Sequence, residues 1–345
     1  MKVFEIQGQS GTSRILVGEV LANLAQHLPA TKVVVVTDEN VQRRHGDAFR
    51  QYPTITVGLG EGQKTLDTLA HIYGELIRLG VDRSSFIVAI GGGIVSDITG
   101  FAAATFMRGV PYGFVATTLL AQVDASVGGK NGVNYGGYKN MVGVFSQPRF
   151  VICDPHLLVT LPRQEVLCGM AEVIKHGAIA DKGLFAYLQA NVRAALALEP
   201  AVIEHLVHQS VVIKAGVVNE DETEQGRRRI LNFGHTVGHA VEKLTGVPHG
   251  QAVSIGMQVA ARLSTTLAGL PTGEADTLIQ LCSDFGLPTT LEIPIAQVAD
   301  ALRKDKKKSG SSIHYVLIEK IGKAKVVDLE LEEVDRLLTE LDTGD

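Results

Sequence analysis

Residues 86–97, FIVAIGGGIVSD, join five apolar residues to a triple glycine and then to the start of a helical pattern. The run at 86–90 has the length and apolarity of a strand buried on both faces. Gly91, Gly92 and Gly93 then form a turn whose backbone N–H groups can approach a phosphate at a helix N-terminus, though such a turn also serves purely internal packing. The spacing is not GxGxxG, so the common dinucleotide fingerprint is absent. Asp97 is expected on the first turn of the helix, where the dipole favours a carboxylate. Outward from this stretch, 32–37 (KVVVVT), 54–57 (TITV), 112–117 (YGFVAT) and 150–153 read as further buried strands. Leu66, Leu69, Ile72, Tyr73, Leu76, Ile77 and Leu79 recur at a helical period between two of them. Strand, helix and strand in series predict right-handed βαβ units and a mostly parallel sheet.

The texture changes after about residue 155. Residues 163–302 carry long helical patterns punctuated by Pro200, Gly246, Pro248, Pro271 and Pro288, with few β-branched runs. Residues 313–318 and 325–327 read as a hairpin, and 330–341 as a final amphipathic helix. The expected organisation is an α/β domain over 1–155 and a helical domain over 156–345.

Composition narrows the function. The 345 residues are 45% hydrophobic and 20% charged, as in ordinary globular proteins. Lys plus Arg number 32 against 37 Asp plus Glu, a formal charge of −5, which argues against a nucleic-acid partner. Glycine, at 37 residues, is in excess and suggests tight turns and close backbone approaches. Cys153, Cys168 and Cys282 are odd in number and far apart, which fits a reducing compartment rather than a disulfide framework. The start shows no apolar signal-peptide core, and the apolar stretch 86–121 is interrupted by Asp97 and Arg108. A cytoplasmic protein without a membrane partner is the expectation.

Three groups of residues carry potential chemistry. His235 and His239 stand four apart on a predicted helix, with His249 close behind; an i,i+4 pair can share a metal, although HExxH is absent. An isolated pair of this kind is also a common surface feature. Glu172, Lys175 and His176 share a helical face, either as a plain Glu–Lys pair or as a carboxylate ligand beside a cation. Arg108, Lys130, Lys139, Asn140, Lys214, Arg228 and Asn232 are scattered cations and amides, several flanked by glycine. Each alone fits a solvated surface residue; together they suggest a doubly anionic substrate.

The runs LLAQVDASVGGKNGVN, GMAEVIKHGAI and RRRILNFGHTVGHAVE closely resemble the 3-dehydroquinate synthase family, and the resemblance extends from about Asp38 to the DKKK segment near Lys306. It implies a Rossmann-like nucleotide-binding domain followed by an all-α metal-binding domain, with NAD and zinc or cobalt as cofactors and a homodimer as the assembly. By motif match the metal ligands are Glu172, His235 and His249, whereas spacing alone nominates His239 beside His235. NAD contacts are implied at Asp38, Glu61, Lys64, Gly92, Gly93, Ile94, Asp97, Thr117, Thr118, Leu120, Asp124, Lys130, Lys139, Thr160, Leu161 and Gln164. An acidic residue at Asp38 suits ribose hydroxyls and favours NAD over NADP. Substrate contacts are implied at Asp124, Lys130, Asn140, Lys175, Lys214, Arg228, Asn232 and His239, with one of Lys306 and Lys307 and with Arg108 reaching from a neighbouring subunit.

The resemblance also implies a reaction: 3-deoxy-D-arabino-heptulosonate 7-phosphate becomes 3-dehydroquinate and phosphate in the shikimate pathway. NAD would remove hydride from the C5 hydroxyl with metal assistance, phosphate would be eliminated, hydride returned, and an intramolecular aldol would close the ring. Two anionic groups on the substrate account for gathered cations in an acidic protein. The alternatives are a cyclase acting on another sugar phosphate, an NAD- and metal-dependent polyol dehydrogenase, and an NAD-binding module without catalysis. The last would be expected to lack a metal ligand, and none is missing from the motif.

Overall fold

The computed structural model describes residues 1–306 and 312–343. The chain divides into two compact units, Met1–Leu161 with Ile203–Thr223, and Pro162–Val202 with Glu224–Asp345. The first contains β1 (Lys2–Gly8), β2 (Gly11–Val17), β3 (Val33–Asp38), α1 (Glu39–His45), β4 (Thr54–Val57), α2 (Leu66–Arg78), β5 (Phe86–Gly91), α3 (Gly93–Thr105), β6 (Tyr112–Ala116), β7 (Lys130–Tyr135), β8 (Tyr138–Phe145) and β9 (Phe150–Cys153). After α4 (Arg163–Ala180), α5 (Lys182–Ala190) and α6 (Val192–Leu196), the helix α7 (Pro200–Glu220) supplies the first unit's second segment. The second unit continues with α8 (His235–Thr245), α9 (His249–Leu267), α10 (Thr272–Asp284), α11 (Ile295–Lys306), β10 (Ser312–Lys320), β11 (Lys323–Glu330) and α12 (Leu331–Thr343).

Seven strands form one sheet in the order β1-β2-β9-β6-β5-β3-β4, parallel except for the edge strand β1. The apolar runs make its centre, since Val34, Val35, Ile87, Val88 and Ile90 are wholly buried. From β3 the chain crosses outward to β4, then returns to place β5 on the opposite side of β3 and continues to β6. The crossovers therefore diverge between β3 and β5, and the carboxyl ends there belong to Asp38 and the triple glycine. Ligands of open α/β sheets bind at this kind of switch point.

The β1–β2 hairpin was not anticipated, and it is held from outside the sheet ladder. The Glu222 carboxylate, just beyond α7, accepts from the Gln9 N–H at 2.5 Å, the Ser10 N–H at 3.3 Å, the Ser10 hydroxyl and the Gln147 amide at 2.9 Å. Among the described residues, α7 is the helix long and apolar enough to cross a membrane, and 56% of its apolar stretch is buried, as in a core helix. In the second unit the expected hairpin is β10–β11, with a bulge between Ile318 and Lys320, packed against α9 and α4.

Candidate active site

Each glycine of the triple turn faces a neighbour that leaves no room for a side chain. A Cβ would lie 2.5 Å from the Val95 Cβ at Gly91, 3.0 Å from the Thr118 methyl at Gly92 and 2.8 Å from the Ala125 Cβ at Gly93. Gly92 and Gly93 thus let the segment after β6 press onto the start of α3. That segment carries buried Thr117, half-buried Thr118 and Leu120, and a π-helical turn over Ala121–Ala125 that presents Asp124. Single π turns recur at functional sites. The Lys214 ammonium donates to the Asp124 carbonyl at 2.6 Å and to its carboxylate at 2.5 Å.

Asp97 lies on the second turn of α3, so the expected first-turn dipole contact is replaced by an ion pair. Its partner is Lys64, a buried lysine whose ammonium also donates to the Asn140 amide oxygen at 2.5 Å. Burial pushes the Asp97 carboxyl above its ordinary range, with Lys64 opposing it. Glu61 accepts from the Asn134 amide at 2.8 Å and has the Lys139 ammonium 3.8 Å away. Asp38 closes β3 and caps α1, one carboxylate oxygen accepting from the Asn40 and Val41 N–H groups at 2.9 and 3.0 Å. Ile94 is half-buried on the first turn of α3. Thr160 donates to the Leu157 carbonyl at 3.1 Å and precedes half-buried Leu161. Lys130 is exposed at the start of β7, and Arg108 is exposed in the turn between α3 and β6.

In the second unit three helices converge because glycines permit it. A Cβ on Gly250 would lie 2.4 Å from the Cys168 Cα, so the first turn of α9 rests on the α4 backbone one turn before Glu172. A Cβ on Gly256 would lie 1.8 Å from the Gly234 carbonyl, so α9 and the start of α8 touch through backbone. These contacts bring His249 and His235 over a Glu172 with no exposed surface. The His249 Nε2 lies 3.2 Å and the His235 Nε2 3.6 Å from the Glu172 Oε1, and the ligand atoms of the three all lie within 4.8 Å of one another. The buried Lys175 ammonium pairs with the other carboxylate oxygen.

The electrostatics of the trio are set by this burial. Desolvation opposes the Glu172 charge, but Lys175 and the two imidazoles hold its carboxyl well below the usual range. Burial, and then Lys175, push His235 well below the ordinary histidine value, leaving a neutral ring. The His235 Nδ1 faces the Phe233 carbonyl at 3.2 Å; as a donor there, it turns the Nε2 lone pair toward Glu172. For His249 the loss of solvation is outweighed by the Glu172 and Glu242 carboxylates, which raise it to about 9. Two imidazole nitrogens and a carboxylate facing one point, with one ring already oriented by its backbone acceptor, suit a divalent cation of the zinc type.

His239 lies next to this trio, its ring 5.2 Å from His235 and 6.1 Å from His249, and forms a second close group with Glu242 and His249. It is exposed, unlike Glu172. Arg228 is buried in the short helical turn Arg227–Asn232, and the Asn232 amide donates to Glu224. Gln164 is exposed on the first turn of α4. The Lys306 side chain and all of Lys307 lie outside the described residues. Sequence reading passed over Glu242, whose Oε2 lies 3.5 Å from the His249 Nδ1, although its place seven residues after His235 puts it on the same helical face. It also passed over Asn134.

Two sequence patterns match the chain: 3-dehydroquinate synthase N-terminal over residues 54–168, and 3-dehydroquinate synthase C-terminal over 169–308. A 3-dehydroquinate synthase of Dehalococcoides mccartyi is 43% identical over 324 residues, covering 91% of this chain and 90% of the relative. One from Halorhodospira halophila is 43% identical over 311 residues, 88% of each. Among solved structures, 2-deoxy-scyllo-inosose synthase complexed with carbaglucose-6-phosphate, NAD+ and Co2+ superposes with a TM-score of 0.87 at 25% identity, over 98% of this chain and 100% of that one. The 2-epi-5-epi-valiolone synthase of Streptomyces hygroscopicus, with NAD+ and Zn2+ bound, superposes with a TM-score of 0.87 at 26% identity over the whole of both chains. With both sequence patterns matched in succession over residues 54–308, and 43% identity to a relative over 91% of this chain, the chain belongs to the 3-dehydroquinate synthase family.

Proposed function

We propose that this enzyme converts 3-deoxy-D-arabino-heptulosonate 7-phosphate into 3-dehydroquinate and phosphate, as a cytoplasmic homodimer of the shikimate pathway. The observation that carries the reading is the buried Glu172, flanked by Lys175 and faced by His235 and His249, in a chain so similar to 3-dehydroquinate synthases. Glu172, His235 and His249 would hold zinc or cobalt. Asp38, Glu61, Lys64, Gly92, Gly93, Ile94, Asp97, Thr117, Thr118, Leu120, Asp124, Lys130, Lys139, Thr160, Leu161 and Gln164 would hold NAD. When bound, NAD supplies a hydride acceptor that returns its hydride in the same turnover, and the cation supplies a Lewis acid for the substrate oxygen.

The chain's own residues bind and orient. Lys130, Lys214 and Arg228 match the substrate's phosphate and carboxylate, Arg228 with the fixed fork that grips two oxygens. Asn140 and Asn232 offer amides to its hydroxyls. Lys175, held against Glu172, presents an ammonium where negative charge develops on oxygen, and His239 lies close to the same group. The departing phosphate can itself take the proton lost in elimination, so no dedicated carboxylate base is required. The test supplies NAD and zinc or cobalt with the heptulosonate phosphate, glucose 6-phosphate or sedoheptulose 7-phosphate in turn. Phosphate release with a carbocyclic product from the first substrate alone, without net NADH absorbance, is expected. Release from glucose 6-phosphate but not from the heptulosonate phosphate would overturn the proposal, and stoichiometric NADH would indicate a dehydrogenase.

A further inference from the structure

Asn134 stands at the single register shift of the β7–β8 ribbon, between Val133 and Tyr135. There Asn134 alone faces residues 139–141 of β8, the strand that carries the extra residues, and such an irregularity breaks the ladder and re-aims the side chains around it. Three hydrogen bonds show where Asn134 is aimed. Its backbone N–H donates to the Lys64 carbonyl at 2.8 Å, its side-chain NH2 donates to Glu61 at 2.8 Å, and its side-chain oxygen accepts from the Asn140 N–H at 2.9 Å. The partners fix the orientation of the amide, since a carboxylate can only accept here and a backbone N–H can only donate. Asn140 has a left-handed backbone, φ 53°, and its own side chain is held by Lys64, which also pairs with Asp97. Asn134 therefore closes a loop of contacts that runs from Glu61 through Asn140 and Lys64 to Asp97.

We infer that Asn134 is a positioning residue that couples the nucleotide side of the site, Glu61 and Lys64, to the substrate-side amide of Asn140. The inference rests on the reading under Proposed function and adds to it a residue that ties cofactor binding to substrate alignment. One half of the amide restrains the carboxylate at Glu61, and the other secures the backbone turn that an asparagine adopts only at some cost. A residue serving only the ribbon would bond within it, whereas two of these three partners lie in the segment 61–64.

The experiment compares Asn134→Ala and Asn134→Asp with the parent by NAD titration, by kcat and KM for the heptulosonate phosphate, and by thermal melting. In Asn134→Ala, NAD affinity should fall and KM rise, each by about tenfold, as expected for losing hydrogen bonds that restrain a charged group. Asn134→Asp keeps an acceptor for the Asn140 N–H but sets a carboxylate against Glu61. It should retain the NAD defect while KM returns toward the parent value. Parental NAD affinity and KM in Asn134→Ala would overturn the inference, as would equal losses on both ligands in both variants with a lowered melting point. A parent that binds NAD yet releases no phosphate would overturn the reading of the reaction and leave the NAD titration to judge Asn134.

Discussion

Glu172 is a buried carboxylate that remains charged because Lys175, His235 and His249 surround it, and this defines what its replacement should do. Glu172→Gln keeps the volume but removes the anionic donor that faces the His235 and His249 nitrogens. It also leaves the Lys175 ammonium buried without its counter-ion, a defect worth about 3–5 kcal/mol in buried pairs. Both losses point the same way: metal content by elemental analysis should collapse, phosphate release should fall at least about a hundredfold, and the metal-free protein should melt earlier. Full metal content with near-parental turnover would remove Glu172 from the site. The i, i+3 spacing of Glu172 and Lys175 was legible in the sequence, but an exposed pair and a sealed one look alike there. His249 shows the other limit. Helical spacing singled out His239, while the histidine that approaches Glu172 arrives on another helix, placed by a glycine contact that no spacing encodes. Only resemblance to the family named it beforehand.

Two helical glycines test the packing of elements in opposite directions. Gly256 in α9 has the Gly234 carbonyl where its Cβ would be, at 1.8 Å, and neither is the end of a flexible side chain. Gly256→Ala must push α9 from the start of α8. The expected strain, about 1–3 kcal/mol or more, exceeds the helix-propensity gain of about 1 kcal/mol. Gly216 in α7 is exposed and has nothing within 4 Å of a Cβ, so Gly216→Ala should stabilise by about 0.4–1 kcal/mol through the unfolded chain. Denaturant midpoints with unchanged slopes would report both signs; a stable Gly256→Ala protein that keeps its metal would refute the backbone contact. The strands β3, β5, β6 and β9 were legible to within a residue because each is a largely apolar, buried run. The hairpin β1–β2 was not, because β1 is an edge strand with little burial and its anchor, Glu222, is remote in sequence. The ribbon β7–β8 was equally hidden. Its sequence is rich in Asn and Gly, and Gly132 faces Gly143 where backbone approaches too closely for side chains.

At the scale of the whole molecule, Arg108 links the fold to the proposed assembly. Met107, Arg108 and Gly109 have φ of 51°, 70° and 121°, three successive residues in a region that only glycine occupies freely. A bulky residue held there costs on the order of 1–3 kcal/mol, and in this turn Met107 and Arg108 are both exposed. An exposed arginine on a strained turn fits a guanidinium presented outward more readily than one left to solvent. A phosphate held in a neighbouring subunit is a target suited to its fork. Arg108→Ala should then raise KM for the phosphorylated substrate while NAD and metal binding stay at parental levels. Mixing gives the sharper result. Homodimers of Arg108→Ala and of Glu172→Gln are each impaired at both sites. A heterodimer in which Arg108 serves the partner's site holds one site with both defects and one with neither, so exchange of subunits should restore as much as half the activity per heterodimer. If Arg108 served its own subunit, each site of the heterodimer would keep one defect and exchange would restore nothing. Heterodimers verified by intact mass, with activity no higher than the unmixed variants, would place the arginine's action within its own chain.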